Sequence, residues 1–379
     1  MPRLRLRGSL ALAAAAFAAW CASAGAISGP PQVSAPAYVV RGGPHAVVLA
    51  ARAPDARRAP ASMTKLMTVL VTLEHARLDD VVTVPREAAE VGESSVGLEP
   101  GERLTVRDLA IAALVPSAND AATALAAHVG GGSVERFVAL MNMKARSLGL
   151  TSTHFENPHG LDEAGHVSSA RDLTTLLSAA LRIPFIRTWS TKSPATIAGG
   201  RVLSSTDGLI GKLPLLGAKT GHTNAAGWSQ VAAVEQGGVR ITASLLGARS
   251  EEQRNAELGA LLTWGLGQYH RVRAIDEARV YGVAETGYGR PAVELVPART
   301  VVRTVRVERP LVERVVVSST LALPVVAGQR AGEVRVFAGG RLIARTPLFT
   351  AAAVPAVGIS GKVGWYARRT VHHLFGLVS

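Results

Sequence analysis

Three short motifs occur once each in this chain of 379 residues, and their residue types point to acyl transfer. Ser62-Met63-Thr64-Lys65 sets a hydroxyl three residues before an amine. Residues i and i+3 share a helix face, so the Lys65 amine can reach the Ser62 hydroxyl. A serine hydroxyl is a poor nucleophile until a base takes its proton. A lysine serves as that base only where burial or positive neighbours lower its pKa. The surrounding run Leu66, Met67, Val69, Leu70, Val71 and Leu73 is apolar nearly all round and predicts a buried helix from Ser62 to Ala76. Ser62 falls at the N-cap or first turn, where the helix dipole and a backbone N–H can help stabilise an oxyanion.

The second motif, Ser117-Ala118-Asn119, follows Pro116 between two helical stretches and reads as a loop that projects a hydroxyl and an amide into a cleft. The third, Lys219-Thr220-Gly221, ends an apolar strand. Gly221 lets a substrate backbone lie close beside that strand, in the manner of strand addition, and Lys219 contributes charge. Each triplet alone is weak evidence. Their joint occurrence in this order, each in a fitting local context, carries the signal.

The elements that must position these groups are legible in outline. Ala37–Val40 and Ala46–Ala50 flank Gly42-Gly43-Pro44 as a hairpin. Helical spacing runs through Leu109–Val115, Ala121–Val129 and Val134–Leu148, and Ser169-Ala-Arg-Asp172 predicts a capping box opening another helix. Leu213–Thr220, Trp228–Val234 and Val239–Leu246 predict strands, and Glu251–Tyr269 a long helix. Beyond about residue 271 apolar and polar residues alternate, with a Gly339-Gly340 hairpin turn, which predicts a small β-domain over 271–356. Residues 357–379 end in a basic amphipathic helix. Val363, Ala367, Thr370, Val371, Leu374, Phe375 and Val378 lie on one face, with Trp365 and Tyr366 suited to a headgroup boundary. That pattern predicts an in-plane anchor on an anionic membrane surface.

Composition bounds the setting. The chain is 48% hydrophobic and 18% charged, which indicates a folded protein, and its formal net charge is +13. Arg3, Arg5 and Arg7, the apolar run Ser9–Cys21 and Ala24-Gly25-Ala26 form an export signal over 1–26. Export turns the basic charge away from nucleic acid. Cys21 is the only cysteine and lies inside that signal, so no disulfide or thiol chemistry is expected in 27–379. The ten histidines show no H-E-x-x-H or other tight metal spacing, so no metal and no other cofactor is expected.

The chain resembles the low-molecular-mass penicillin-binding proteins that act as serine D-alanyl-D-alanine carboxypeptidases. The resemblance extends from Pro60–Lys65 and Ser117–Ala121 through Leu148–Phe155, His159–Asp162, Ser168–Asp172, Lys219–Thr223 and Leu262–Gly265. It implies an α/β catalytic domain of the β-lactamase/transpeptidase type over 27–270, an antiparallel sheet flanked by helices with a helical subdomain. It implies that Ser62 is acylated by the penultimate D-alanine carbonyl of a peptidoglycan stem peptide, or by a β-lactam, with Lys65 as base. Ser117 would relay protons and Asn119 would bind the peptide carbonyl. Lys219, Thr220 and Arg249 would hold the terminal carboxylate, and the backbone N–H groups of Ser62 and His222 would form the oxyanion hole. His159 and Asp162 would line the cleft in a positional role. Localisation would be periplasmic, on the outer face of the cytoplasmic membrane. Two features depart from the family pattern: the Gly42–His45 loop stands in place of a Ser-Gly turn, and Ala248 precedes Arg249 where Gly is commoner. Two rivals stand beside this reading: a β-lactamase, which shares the motifs, and a non-catalytic wall-binding scaffold; an endopeptidase is a close variant of the same chemistry.

Overall fold

The computed structural model describes residues 29–43 and 45–375, with the backbone alone for 371–375. The predicted export signal with Cys21, Pro44 of the first turn, and Val378 lie outside the described residues. The chain divides into two compact units between Gly267 and Gln268.

The first unit is built on a five-stranded antiparallel sheet. Its strands are β1 (Ala37–Gly42), β2 (Val47–Arg52), β3 (Leu215–Gly221), β4 (Trp228–Gln236) and β5 (Val239–Ala248), in the order β2-β1-β5-β4-β3. Gly221 stands opposite Ser229, and Trp228 opposite Ala248. The end of β3, the start of β4 and the end of β5 therefore meet at one edge of the sheet. Residues alternate between its faces. Ala37 and Val39 join the core of the helical region, whereas Val40 meets Gly265 of the long helix Glu251–Gly267 on the other face.

Between β2 and β3 the chain forms helices α1 (Lys65–His75), α2 (Val106–Leu114), α3 (Asn119–Val129), α4 (Val134–Ser147) and α5 (Ala170–Ala180). Every residue of α1 from Lys65 to Thr72 is buried, as an all-round apolar helix requires. Several sequence expectations need correction. The predicted helix from Ser62 is two elements: a 3₁₀ turn, Ala61–Thr64, and then α1. Ser62 makes no side-chain cap, which leaves its hydroxyl free for Lys65. Asn119 opens α3 and is not a loop residue. Ser169 caps α5 through Asp172 N, but the Asp172 carboxylate turns away to Ser152 N and Thr153 Oγ1, so the reciprocal half of the capping box is not made. The long helix ends at Gly267, because Tyr269 already pairs with Arg306 in a strand ladder.

The second unit contains a six-stranded sheet and a two-stranded one. Gly339 and Gly340 (φ 55° and 81°) form the expected two-residue hairpin, with Ala338 opposite Arg341. Ile275, Leu295, Val334, Val336 and Leu348 make the core. The unit ends in a helix, Ile359–Phe375.

Candidate active site

Ser62 is half-buried in a turn whose neighbours Ala61, Met63, Thr64 and Lys65 are fully buried. Lys65 Nζ lies 2.8 Å from Ser62 Oγ, 2.6 Å from Asn119 Oδ1 and 2.7 Å from the His159 carbonyl oxygen. Its ammonium form is disfavoured first by burial and second by the charge of Lys219, which together hold its pKa well below the usual lysine range. Asp120 and Glu93 oppose that shift without cancelling it.

The three motifs converge. Lys219 Nζ donates to Ser117 Oγ (2.8 Å) and to the Thr220 carbonyl (3.0 Å). Burial pushes Lys219 down to about 7; Asp207 works against that shift and Arg254 adds to it. Ser117 is a non-glycine residue at φ 72°, a left-handed conformation that costs on the order of 1–3 kcal/mol and persists only where the surroundings impose it. Asn119 is buried; its Nδ2 donates one N–H to the Gly92 carbonyl (3.0 Å), which leaves the other for a ligand. Next to it, the buried Asp120 carboxylate accepts from Ser95 Oγ, Val96 N, Leu98 N and Ala121 N, and so ties the 95–98 loop to the start of α3.

A side chain at Gly221 would be crowded. A Cβ there would stand 3.0 Å from Ser62 N and from Ala61 Cβ. The end of β3 thus lies directly against the Ser62 turn. Thr220 is buried, and its hydroxyl sits 2.7 Å from that of Thr206. The exposed His222 side chain stacks on Trp228, with ring centroids 4.2 Å apart. Arg249 is exposed at the same edge of the sheet, just beyond β5, with its backbone N–H donating to Gln253 Oε1.

The 157–163 loop closes the other side. His159 participates through its carbonyl; burial, with the Lys65 charge second, lowers its imidazole to about 3, so the ring is neutral. Asn157 Oδ1 accepts from Gly160 N, and Thr68 Oγ1 donates to the Pro158 carbonyl. Asp162 accepts from Thr223 Oγ1 (2.6 Å) and Ala225 N (3.1 Å), which ties this loop to the turn after β3.

Three supporting residues carry no motif signal. His166 Nδ1 accepts from Glu156 N, so its Nε2–H faces Thr64 Oγ1 at 2.8 Å beneath the Ser62 turn. Burial foremost lowers its pKa to about 4. Arg254, on the long helix, is fully buried, pairs with Glu251 and donates to the Thr206 carbonyl (3.4 Å). Thr206 completes the set.

Comparison with known proteins agrees with this arrangement. Residues 24–250 match the family model described as D-alanyl-D-alanine carboxypeptidase. The chain is 34% identical over 358 residues to D-alanyl-D-alanine carboxypeptidase DacD of Salmonella typhimurium, covering 89% of this chain and 90% of that one. It is 32% identical over 368 residues to DacA of Escherichia coli, covering 92% and 91%. Among solved structures it is similar to penicillin-binding protein 5 from Haemophilus influenzae, with a TM-score of 0.64 and 28% identity over 87% of this chain and all of that one. The buried lysine on a serine hydroxyl and the match along nearly the whole chain lead to one conclusion: this chain belongs to the low-molecular-mass penicillin-binding proteins, the serine-type D-alanyl-D-alanine carboxypeptidases.

Proposed function

We propose that this enzyme removes the terminal D-alanine of peptidoglycan stem pentapeptides through an acyl-enzyme on Ser62, and that β-lactams acylate the same hydroxyl. The observation that carries this reading is the coordination of Lys65. As a neutral amine it gives its two N–H bonds to Asn119 Oδ1 and the His159 carbonyl, which leaves its lone pair for the Ser62 proton. Ser62 Oγ then attacks the penultimate carbonyl carbon, and Lys65 takes the proton. The backbone N–H groups of Ser62 and His222 receive the oxyanion across the gap that Gly221 keeps free of a side chain. The C–N bond breaks, and the departing D-alanine amine takes a proton relayed through Ser117. Water then attacks the ester with Lys65 again as base, and the enzyme is restored. Lys219 and Thr220, with Arg249 at the same sheet edge, hold the terminal carboxylate, and the remaining Asn119 N–H meets the peptide carbonyl.

The test uses the protein and a Ser62→Ala variant with a fluorescent penicillin and a pentapeptide ending in D-alanyl-D-alanine. Ser62-dependent, slowly reversed labelling with release of D-alanine is expected. Rapid penicillin turnover without D-alanine would instead identify a β-lactamase, and neither signal from folded protein would identify a scaffold.

We further infer that the enzyme is exported and works at the outer face of the cytoplasmic membrane. Among the described residues no helix is long and apolar enough to cross a membrane. The helix Ile359–Phe375 nevertheless presents Val363 63% exposed on its apolar side, with Lys362, Arg368 and Arg369 beside it. Its Trp365 packs edge-on against Tyr288 of the same unit, with ring centroids 5.6 Å apart. Such a helix lies in the headgroup plane of an anionic bilayer. Co-sedimentation with vesicles containing anionic phospholipid is expected for the full chain and lost on truncation before Ile359; equal binding by both chains overturns the anchor.

A further inference from the structure

The segment 205–209 belongs to none of the three motifs, yet it is fastened behind the end of β3. Asp207 Oδ1 accepts from Leu209 N (2.9 Å) and from Gln230 Nε2 (2.8 Å), and Gln230 stands directly opposite Thr220 in the β3–β4 ladder. The buried Arg254 guanidinium donates to the Thr206 carbonyl. These bonds fix Thr206, itself exposed, with its hydroxyl 2.7 Å from the buried Thr220 hydroxyl.

Two hydroxyls at that distance share one proton. If Thr220 donates to Thr206, it has no proton left for a ligand. If Thr206 donates to Thr220, the Thr220 O–H is directed away and polarised. A carboxylate only accepts hydrogen bonds, so it selects the second arrangement. Lys219 adds the positive charge alongside, while two of its own N–H bonds already go to Ser117 Oγ and the Thr220 carbonyl.

We propose that Thr206 is a positioning residue for carboxylate recognition: its hydroxyl donates to Thr220 and so orients the Thr220 O–H toward the terminal carboxylate of the substrate. This rests on the reading that Thr220 and Lys219 bind that carboxylate. The consequence is one of specificity. Thr206 contributes to the preference for a free carboxylate over an uncharged chain end, and not to the chemistry at Ser62.

The experiment compares a D-alanyl-D-alanine-terminated peptide with the same peptide as its C-terminal amide, as the ratio of kcat/KM values, in wild type, Thr206→Val and Thr206→Ser. In Thr206→Val, which keeps the shape and removes the hydroxyl, the ratio is expected to fall about five- to tenfold, with turnover of the amide kept. Thr206→Ser is expected to restore it. A wild-type ratio retained in Thr206→Val overturns the inference alone. A wild-type enzyme indifferent to amidation overturns the carboxylate reading and this inference with it.

Discussion

Lys65→Arg slows acylation of Ser62 by about a thousandfold with pentapeptide and penicillin alike, although it keeps a positive charge at the position. The substitution separates two roles that a lysine beside a nucleophile can fill. If Lys65 acted only by its charge, a guanidinium would preserve much of the rate. A guanidinium cannot give up its proton in a protein and so cannot act as a base. The surroundings of Lys65 favour the base. It is fully buried, and burial followed by the charge of Lys219 works against its ammonium form. Two acceptors, Asn119 Oδ1 and the His159 carbonyl, occupy the N–H bonds of the neutral amine, and the third direction faces Ser62 Oγ. Lys65→Met, which lacks both base and charge, is expected to fall to the same level. The measurement is the single-turnover labelling rate with a fluorescent penicillin, beside circular dichroism to establish that each variant is folded. A Lys65→Arg enzyme within tenfold of wild type would remove Lys65 from the role of base.

What the sequence made legible follows from the range over which each interaction acts. The Ser62–Lys65 pair is local, three residues apart, and could be read from helix periodicity. The burial of α1, the strand over Leu213–Thr220 and the Gly339-Gly340 hairpin were likewise legible from local patterns, the last from its turn residues. The convergence of the three motifs had no local signature and came from family resemblance; the bonds Lys65–Asn119 and Lys219–Ser117 span 54 and 102 residues. Even local rules failed where a distant partner outbid them. Asp172 matches the capping-box pattern, but Ser152 and Thr153 take its carboxylate. Asn119 looked like a loop residue after Pro116, yet it begins α3 with its side chain bound to the Gly92 carbonyl. His166 and Arg254 were invisible for the same reason. One meets the Ser62 turn from 102 residues away through Thr64, and the other is buried on the long helix by packing that its local sequence does not display. Arg249 is exposed and follows Ala248, which stands opposite Trp228 where β5 ends.

Gly160→Ala is expected to lower acylation by about a hundredfold and stability by about 2–4 kcal/mol. Gly160 has φ 96°, a region that an L side chain rarely adopts. A Cβ there would fall 2.0 Å from the Ala61 carbonyl oxygen, 2.4 Å from the Ala61 carbonyl carbon and 3.0 Å from Ser62 N. These are backbone atoms of the turn that carries Ser62, so no side-chain rotation relieves the overlap. Ala61 is itself at φ 51°, which leaves that turn little room to adjust. Either the turn moves and Ser62 with it, or the 157–163 loop moves and draws the His159 carbonyl away from Lys65. Both movements damage the same step. Gly221→Ala is the informative comparison. Its Cβ would also come to 3.0 Å from Ser62 N, but it would meet no atom closer than that and its φ is not left-handed, so it is expected to slow acylation while retaining more of the stability. Urea denaturation and single-turnover penicillin labelling of the two variants read the two effects separately. Wild-type labelling by Gly160→Ala would mean that the loop can withdraw without disturbing Lys65, and the His159 carbonyl would then have no part in holding the base.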